Sequence, residues 1–474
     1  MTDEMSFDTD VTAAAVAFVS DARFETLSPD LLQIAERCIL DTVGLYVAGL
    51  SEKAVRIVVE QARHDGGRAD ALLFGTGDKV PAQVAARILG IAAHAHDFDD
   101  TQVSHDPAHV YGLLTHPSAA PLSASIAVAD MRGNVSGRDL LTAFCVGFEV
   151  SCKISEWLAP NHYLRGHHSS GTVATFGAAA AAAWLLHLDH GQIASALGLA
   201  ASMAAGIRCN FGTMTKPLHV GRAAENGVLA ALLAQRGFTA DPAALDGPWG
   251  FASVLAGGFS ASKPAQGFGR TWSMLDPGVS IKPYPSGILT HQAMDAIRQL
   301  IVDADIRPEA IERIDFFAGD NLLDPIRYDT AANALQAKFS MAALIAMLAL
   351  YRKAGLAEFD DDIIRSAAFQ DMQRRVRTHR DPAANALGFD IIRSRVDILL
   401  EDGRVLSAQS DPRYRGGPRH PMSQGELEEK FRACAAPLTP THQDALIAEI
   451  RSLHEATTAT GLPALLQAVR IAAV

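Results

Sequence analysis

The sequence predicts a mainly α protein: a large helical-bundle domain, a smaller α+β lid domain, and C-terminal helices that return to the bundle. Three observations carry this. Residues 11–260 are a succession of Ala/Leu/Val-rich segments with helical spacing, broken by Gly, Pro and Asp. After about residue 270, stretches appear that alternate apolar and polar residues with the period of a strand. From Ser423 the helical character returns. At 474 residues the chain exceeds the size at which one hydrophobic core usually stops growing. The expected divisions are 1–275 for the bundle, 276–415 for the lid and 416–474 for the closing helices.

Helices are expected over Leu31–Leu50, Val84–His96, Ala120–Met131, Asp139–Trp157 and Ala223–Arg236. Ser28-Pro29 supplies an N-cap and a first-turn proline, and Ser136 and Asp139 mark a second helix start. Gly237 is a C-terminal stop. In the lid, Ile311–Phe317 and Ser394–Leu400 alternate as half-buried strands, with Asp402-Gly403 turning the second into a return strand from Val405. Helices are expected between them at Ala337–Leu350 and Asp361–Arg377, and later at Glu426–Cys434, His442–His454 and Leu462–Val474.

Hydrophobic residues make up 49% and charged residues 20%, the mix of a packed globule and not of a disordered chain. The net charge of −12 comes without a basic stripe, which argues against a nucleic-acid partner. The Ala-rich run from Gly177 to Leu186 is too short to span a bilayer and reads as a tightly packed helix. The acidic start MTDEMSFDTD argues against a signal peptide. The five cysteines are odd in number and widely spaced, as in reduced thiols of a cytoplasmic protein.

Five stretches place ionisable residues where plain core or plain surface is expected. His94-Ala-His-Asp97-Phe-Asp99-Asp100-Thr101 ends an apolar helix in acids, against the helix dipole. Thr115-His116-Pro117 holds a histidine extended at the head of a helix. Arg165-Gly-His-His168-Ser-Ser170-Gly-Thr172 leads into the Ala-rich helix; it is either an anion cradle or simple capping by Ser170 or Thr172. Thr215-Lys216-Pro-Leu-His219 sets a lysine among small residues. Lys282-Pro-Tyr284-Pro-Ser-Gly287 is a stiff segment at the change of domain character. Together these residue types can hold carboxylates by cationic hydrogen bonds and move protons by His or Asp.

The sequence has no Walker A loop, no G-x-G-x-x-G after a strand, no G-x-S-x-G, no H-E-x-x-H and no Cys pair for zinc. Nucleotide cofactors and a Ser-hydrolase elbow are therefore not expected, and acid-base work by His and Asp needs no metal. Two rival readings are a metal-dependent phosphohydrolase built on His96-Asp97, and a non-catalytic helical binding protein.

These stretches resemble those of the MmgE/PrpD family. The matching segments are Asp41-Thr-Val-Gly44, the cluster ending at Thr101, His116-Pro-Ser118, Arg165-Gly-x-His168, Lys216-Pro-Leu-His219, Lys282-Pro-Tyr-Pro285, Lys338-Phe-Ser340 and Pro421-Met-Ser423. The family includes 2-methylcitrate dehydratase, cis-aconitate decarboxylase and iminodisuccinate epimerase. The resemblance implies a cofactor-free homodimer acting on a small polycarboxylate between a helical domain and a lid, with site residues Asp97, Thr101, His116, His168, Lys216 and Lys282. In that reading Lys216, Lys282 and Arg165 hold carboxylates, with Tyr284 beside them. His116 or His168 is base or acid, Asp97 orients an imidazole, and Thr101 contacts a substrate oxygen. The segment before His116 is long, adding His105, Asp106, His109 and Tyr111 at the mouth. Decarboxylase-like members carry a His after the second lysine, where this chain has Gly287 or a neighbour. Dehydratase-like members often carry Cys where Ser286 and Gly287 stand. The expected activity is that of a 2-methylcitrate dehydratase-like hydro-lyase, with an epimerase or a decarboxylase as alternatives.

Overall fold

The computed structural model describes residues 5–6, 10–103, 115–158, 161–260, 267–389, 391–457 and 461–469. His105, Asp106, His109 and Tyr111, expected at the mouth of the site, lie outside the described residues. The architecture is mainly α with a smaller α+β part, as the sequence predicts.

The helical part is built on α1 (Pro29–Gly49), α2 (Ala82–His94), α3 (Ala119–Arg132), α4 (Gly137–Leu158), α5 (Ser169–Leu185) and α6 (Thr215–Gln235). Ser28 caps α1 by accepting from Leu31 N at 3.2 Å, with Pro29 in the first turn. Ser136 and Asp139 cap α4 reciprocally, so the helix begins at Gly137, two residues ahead of the expected Asp139. The Ala-rich helix α5 is buried on every face, which small side chains permit. It packs against α3, α4 and α6, and α6 packs in turn on α2. Gly90 and Gly221 let α2 and α6 touch backbone to backbone: a Cβ on Gly221 would lie 2.5 Å from Arg87 O. That contact sets the two helix ends that carry His94 and Lys216. Helix α6 begins eight residues before the expected Ala223, so Lys216 and His219 are both helical.

In the α+β part, β1 (Ile311–Ala318), β2 (Val376–Arg380), β3 (Ser394–Leu400) and β4 (Val405–Gln409) form a sheet of order β2-β1-β3-β4. The β1/β2 pair is parallel and the other pairs are antiparallel, with Asp315 opposite Asp397. Gly403, at φ 86°, makes the hairpin turn. Strand β3 buries Ser394, Val396, Ile398 and Leu400 in strict alternation. Helices α7 (His291–Asp303), α8 (Met341–Tyr351) and α9 (Ala367–Arg375) pack on this sheet. Two expectations change here. The helix expected over Asp361–Arg377 is broken at Ser366, which caps its second piece, and stops at Arg375, because Val376–Arg380 pairs in parallel with β1. The helix expected from Ala337 starts at Met341 behind the Ser340 cap.

The apolar residues form two main clusters. One joins the bundle to Leu427 and Phe431 of α10 (Gln424–Cys434) and to Leu446, Ile450 and Leu462 further on. The other joins the α+β part to Val103, Tyr163 and Phe211 of the helical part. An antiparallel bridge between Thr101 and Ser280 ties the two parts together beside the acidic cluster. Among the described residues, no helix is long and apolar enough to cross a membrane. Cys38, Cys145, Cys152 and Cys434 are buried thiols and Cys209 is exposed.

Candidate active site

Helix α2 ends at His94, and three residues later Asp97 takes a left-handed backbone at φ 52°. Such a conformation costs a non-glycine residue about 1–3 kcal/mol and persists where surrounding contacts enforce it. Here Lys282 enforces it. Its ammonium donates to Asp97 O at 2.9 Å, Asp97 Oδ1 at 3.0 Å and Ser286 O at 3.1 Å, so all three protons are used. Lys216, in the first turn of α6, donates to the same Asp97 Oδ1 at 2.9 Å and to His94 Nε2 at 2.7 Å. One proton of Lys216 is left for the cavity. Asp97 Oδ2 is buried without a hydrogen-bond partner among the described residues.

Behind this pair, Asp99 accepts from His94 Nδ1 at 2.8 Å and lies 3.2 Å from His116 Nδ1. His116 Nδ1 also lies 3.3 Å from Thr101 Oγ1, and its backbone N–H donates to Ser170 Oγ. His168 stands at the head of α5, with Nδ1 3.1 Å from His219 Nδ1 and its ring edge-on to Phe211.

Electrostatics follow from burial. Desolvation is the largest influence on both carboxylates and would raise them. Its neighbours overturn it, the ammonium groups of Lys216 and Lys282 at Asp97 and the contacts of His116 and His94 at Asp99, holding both well below the usual range. Burial drives His94 down to about 3, and it holds His116 and His168 below the ordinary imidazole value. Burial also lowers Lys216, partly offset by Asp97. The site thus sets two lysines and two carboxylates beside imidazoles that burial holds toward the neutral form, ready to take up a proton and return it.

One cavity gathers Asp97, Thr101, His116, His168, Lys216 and Lys282. Two expected residues are elsewhere. Arg165 is exposed, with its guanidinium beside Gly257, because Gly166 at φ 94° turns the chain between it and His168. Tyr284 is buried, but its hydroxyl donates to Asp295 Oδ1 at 2.7 Å, away from the cavity. The imidazole-orienting carboxylate is also corrected. Asp99 contacts His94 and His116 directly, whereas Asp97 is 3.7 Å from His116 Nε2 and is taken up by the lysines. Neither Ser170 nor Thr172 caps α5: Ser170 serves His116, and Thr172 pairs with His162 at 3.1 Å.

Sequence reasoning left His94 and Asp99 out of the site, although both lie in the dense acidic stretch. It also missed the aromatic wall of Tyr163, Phe211 and Phe339, which looks like ordinary core in sequence. His94, Asp97, Asp99 and His116 offer ligand atoms within 4.8 Å of one another. This donor set does not fit a divalent metal, because Lys216 and Lys282 already occupy Asp97 and Lys216 occupies His94 Nε2. A metal would sit against two ammonium groups.

Comparisons with known proteins agree on the family. Residues 14–263 match the MmgE/PrpD N-terminal domain and residues 284–455 the MmgE/PrpD C-terminal domain. The chain is 28% identical to the cis-aconitate decarboxylase of Homo sapiens over 452 residues, covering 93% of this chain and 91% of that protein. It is 27% identical to the cis-aconitate decarboxylase of Mus musculus, covering 90% and 87%. It is 25% identical to that of Aspergillus terreus, covering 90% of each. With both domain matches in order along the chain, this protein belongs to the MmgE/PrpD family.

Proposed function

We propose that this protein is a cofactor-independent lyase that moves a proton at a carbon beside a carboxylate of a small polycarboxylic acid. The observation that supports it is the convergence of Lys216, Asp97 and two neutral histidines on one cavity. In this reading the remaining Lys216 proton binds a substrate carboxylate and stabilises the charge that builds as the C–H bond breaks. His168 takes the proton from carbon as the base, and that same proton is returned by an imidazolium: His116, steadied by Asp99, is the acid once it has received it. Thr101 bonds a substrate oxygen. The finer reading is a 2-methylcitrate dehydratase-like hydro-lyase, in which the acid protonates a departing hydroxyl. An epimerase would use the same acid to reprotonate the opposite face.

A second reading is decarboxylation, in which the acid protonates the carbon that loses CO2. It is supported by the names of the relatives at 25–28% identity. The glycine at position 287 weighs on the other side. Incubating the protein in D2O with citrate-like acids, followed by NMR, tests both. Loss of water marks the first reading and loss of CO2 the second. No exchange and no product with any acid would reject the lyase. Closure of the α+β part as a lid and a cytoplasmic homodimer belong to the same proposal. Light scattering on the purified protein checks the dimer.

A further inference from the structure

The histidines of the site differ in what supports them. Asp99 stands against both His94 and His116, whereas no carboxylate reaches the His168 ring among the described residues. Once His168 has taken a proton from carbon it is an imidazolium beside Lys216. Burial first, then Lys216, His94, His219 and His116, all hold it well below the ordinary imidazole range. A buried charge without a partner is costly, so this base needs a group that shares its proton.

His219, one turn along α6 from Lys216, is placed to be that group. The two Nδ1 atoms lie 3.1 Å apart, so one ring donates and the other accepts. For His168 to offer a bare Nε2 to the cavity it lines, its proton must be on Nδ1, and His219 must then be the acceptor. The contact is held from several sides. The backbone N–H of His168 donates to Gly206 O at 3.0 Å, which fixes the ring at the head of α5. Gly171 and Gly206 close on His219: a Cβ on Gly171 would lie 2.9 Å from His219 Cβ, and one on Gly206 3.2 Å from His219 Cγ. His219 is absent from the cavity wall and is the less buried of the pair, at 9% exposure against 2%, with exposed Ala205 next to Gly206. Burial, then Lys216, lowers it to about 4, so a proton is less unfavourable there than on His168.

We propose that His219 is a positioning residue that completes a two-histidine base: as His168 Nε2 takes the proton from carbon, the Nδ1 proton of His168 passes to His219 Nδ1, and the positive charge rests on the outer ring. The C–H bond breaks and an N–H bond forms at His168 Nε2. The N–H bond at His168 Nδ1 breaks and one forms at His219 Nδ1. The electron pair of the C–H bond stays on the substrate, beside Lys216. When His168 gives up its Nε2 proton, the Nδ1 proton returns from His219 and the pair is reset. This rests on the lyase reading above, with His168 as the base, and deepens it.

The test compares His219→Gln and His219→Ala with wild type, as full-length protein, on citrate, 2-methylcitrate and cis-aconitate. Glutamine keeps an oxygen that accepts from His168 Nδ1 but cannot take the proton over. Alanine vacates the space of the ring between Gly171 and Gly206, where free imidazole fits. Both variants should lose about 10²-fold in kcat with KM unchanged. Imidazole in the buffer should restore much of the loss in His219→Ala and none in His219→Gln. Wild-type turnover in His219→Gln keeps the lyase and overturns the proton transfer. A raised KM with kcat unchanged, or no response of His219→Ala to imidazole, overturns it as well. Heteronuclear NMR of the imidazole nitrogens at neutral pH, assigned with the same variants, is a readout that needs no turnover. It should find the proton of His168 on Nδ1 and that of His219 on Nε2, and the opposite tautomers overturn the inference. If the wild type turns over none of the three acids, the lyase reading fails and the transfer fails with it.

Discussion

Lys430 on α10 lies far in sequence from the cavity, yet it props the loop that forms it. Its ammonium sits 2.6 Å from Asp41 Oδ1, donates to Phe98 O at 2.8 Å and rests 3.9 Å from the centre of the Phe98 ring. Phe98 lies between Asp97 and Asp99. The Asp41 contact is an ion pair without directional hydrogen-bond geometry, since neither carboxylate oxygen has such a partner among the described residues. Burial already pushes Asp41 above its ordinary value, with Lys430 opposing. Replacing Lys430 by Met removes the counter-charge and leaves Asp41 buried at 2% exposure. Breaking a buried pair in this way costs about 3–5 kcal/mol. Protonation of Asp41 is the cheaper escape, and that fixes the pH dependence. A carboxyl whose folded-state pKa is raised holds its proton more tightly when folded. The variant therefore loses stability as pH rises from the unfolded value near 4 through the raised one, by about 1.4 kcal/mol per unit. Urea unfolding followed by circular dichroism at pH 4.5 and pH 8 reads this directly. Lys430→Met should fall further below wild type at pH 8 than at pH 4.5, and Asp41→Asn/Lys430→Met should recover most of the loss at pH 8. A loss independent of pH, or a double variant no better than the single, would refute the argument.

Other outcomes follow from the same geometry. Lys216→Met and His168→Ala should each lower kcat/KM by about 10²–10³-fold while leaving the circular dichroism spectrum unchanged, because each removes a preorganised group at the reacting carbon. Near-normal turnover in both would reject the site. Because burial keeps His116 and His168 below the ordinary imidazole value, the acid limb of kcat/KM should fall below pH about 6.5. A limb at or above neutrality would contradict neutral imidazoles. Gly221→Val should destabilise the protein by about 1–3 kcal/mol or more, since its side chain meets Arg87 O and Ile91. It should also lower turnover by parting the helix ends that carry His94 and Lys216, which thermal unfolding and a rate assay check together.

Much of this protein is local in origin and so legible in the chain. The caps at Ser28 and Ser136, the stop at Gly237 and the turn at Gly403 depend on a few neighbouring residues. The alternation in Ser394–Leu400 is the imprint of one buried face. The gathering of Asp97, Thr101, His116, His168, Lys216 and Lys282 was also readable, because ionisable residues in apolar surroundings are uneconomical unless they meet. Which of them pair is a matter of three dimensions. Asp97 and Asp99 look equivalent in sequence. Only the left-handed turn at Asp97 sends one to the lysines and the other to the histidines. Val376–Arg380 became a strand because β1 offered it a parallel edge, overriding the helical pattern before it. Arg165 and Tyr284 left the site for equally distant reasons: a glycine turn and a partner at Asp295. Local propensity and burial pattern are written along the chain. Pairing between remote side chains depends on ångström-scale positions that only the packed helices establish.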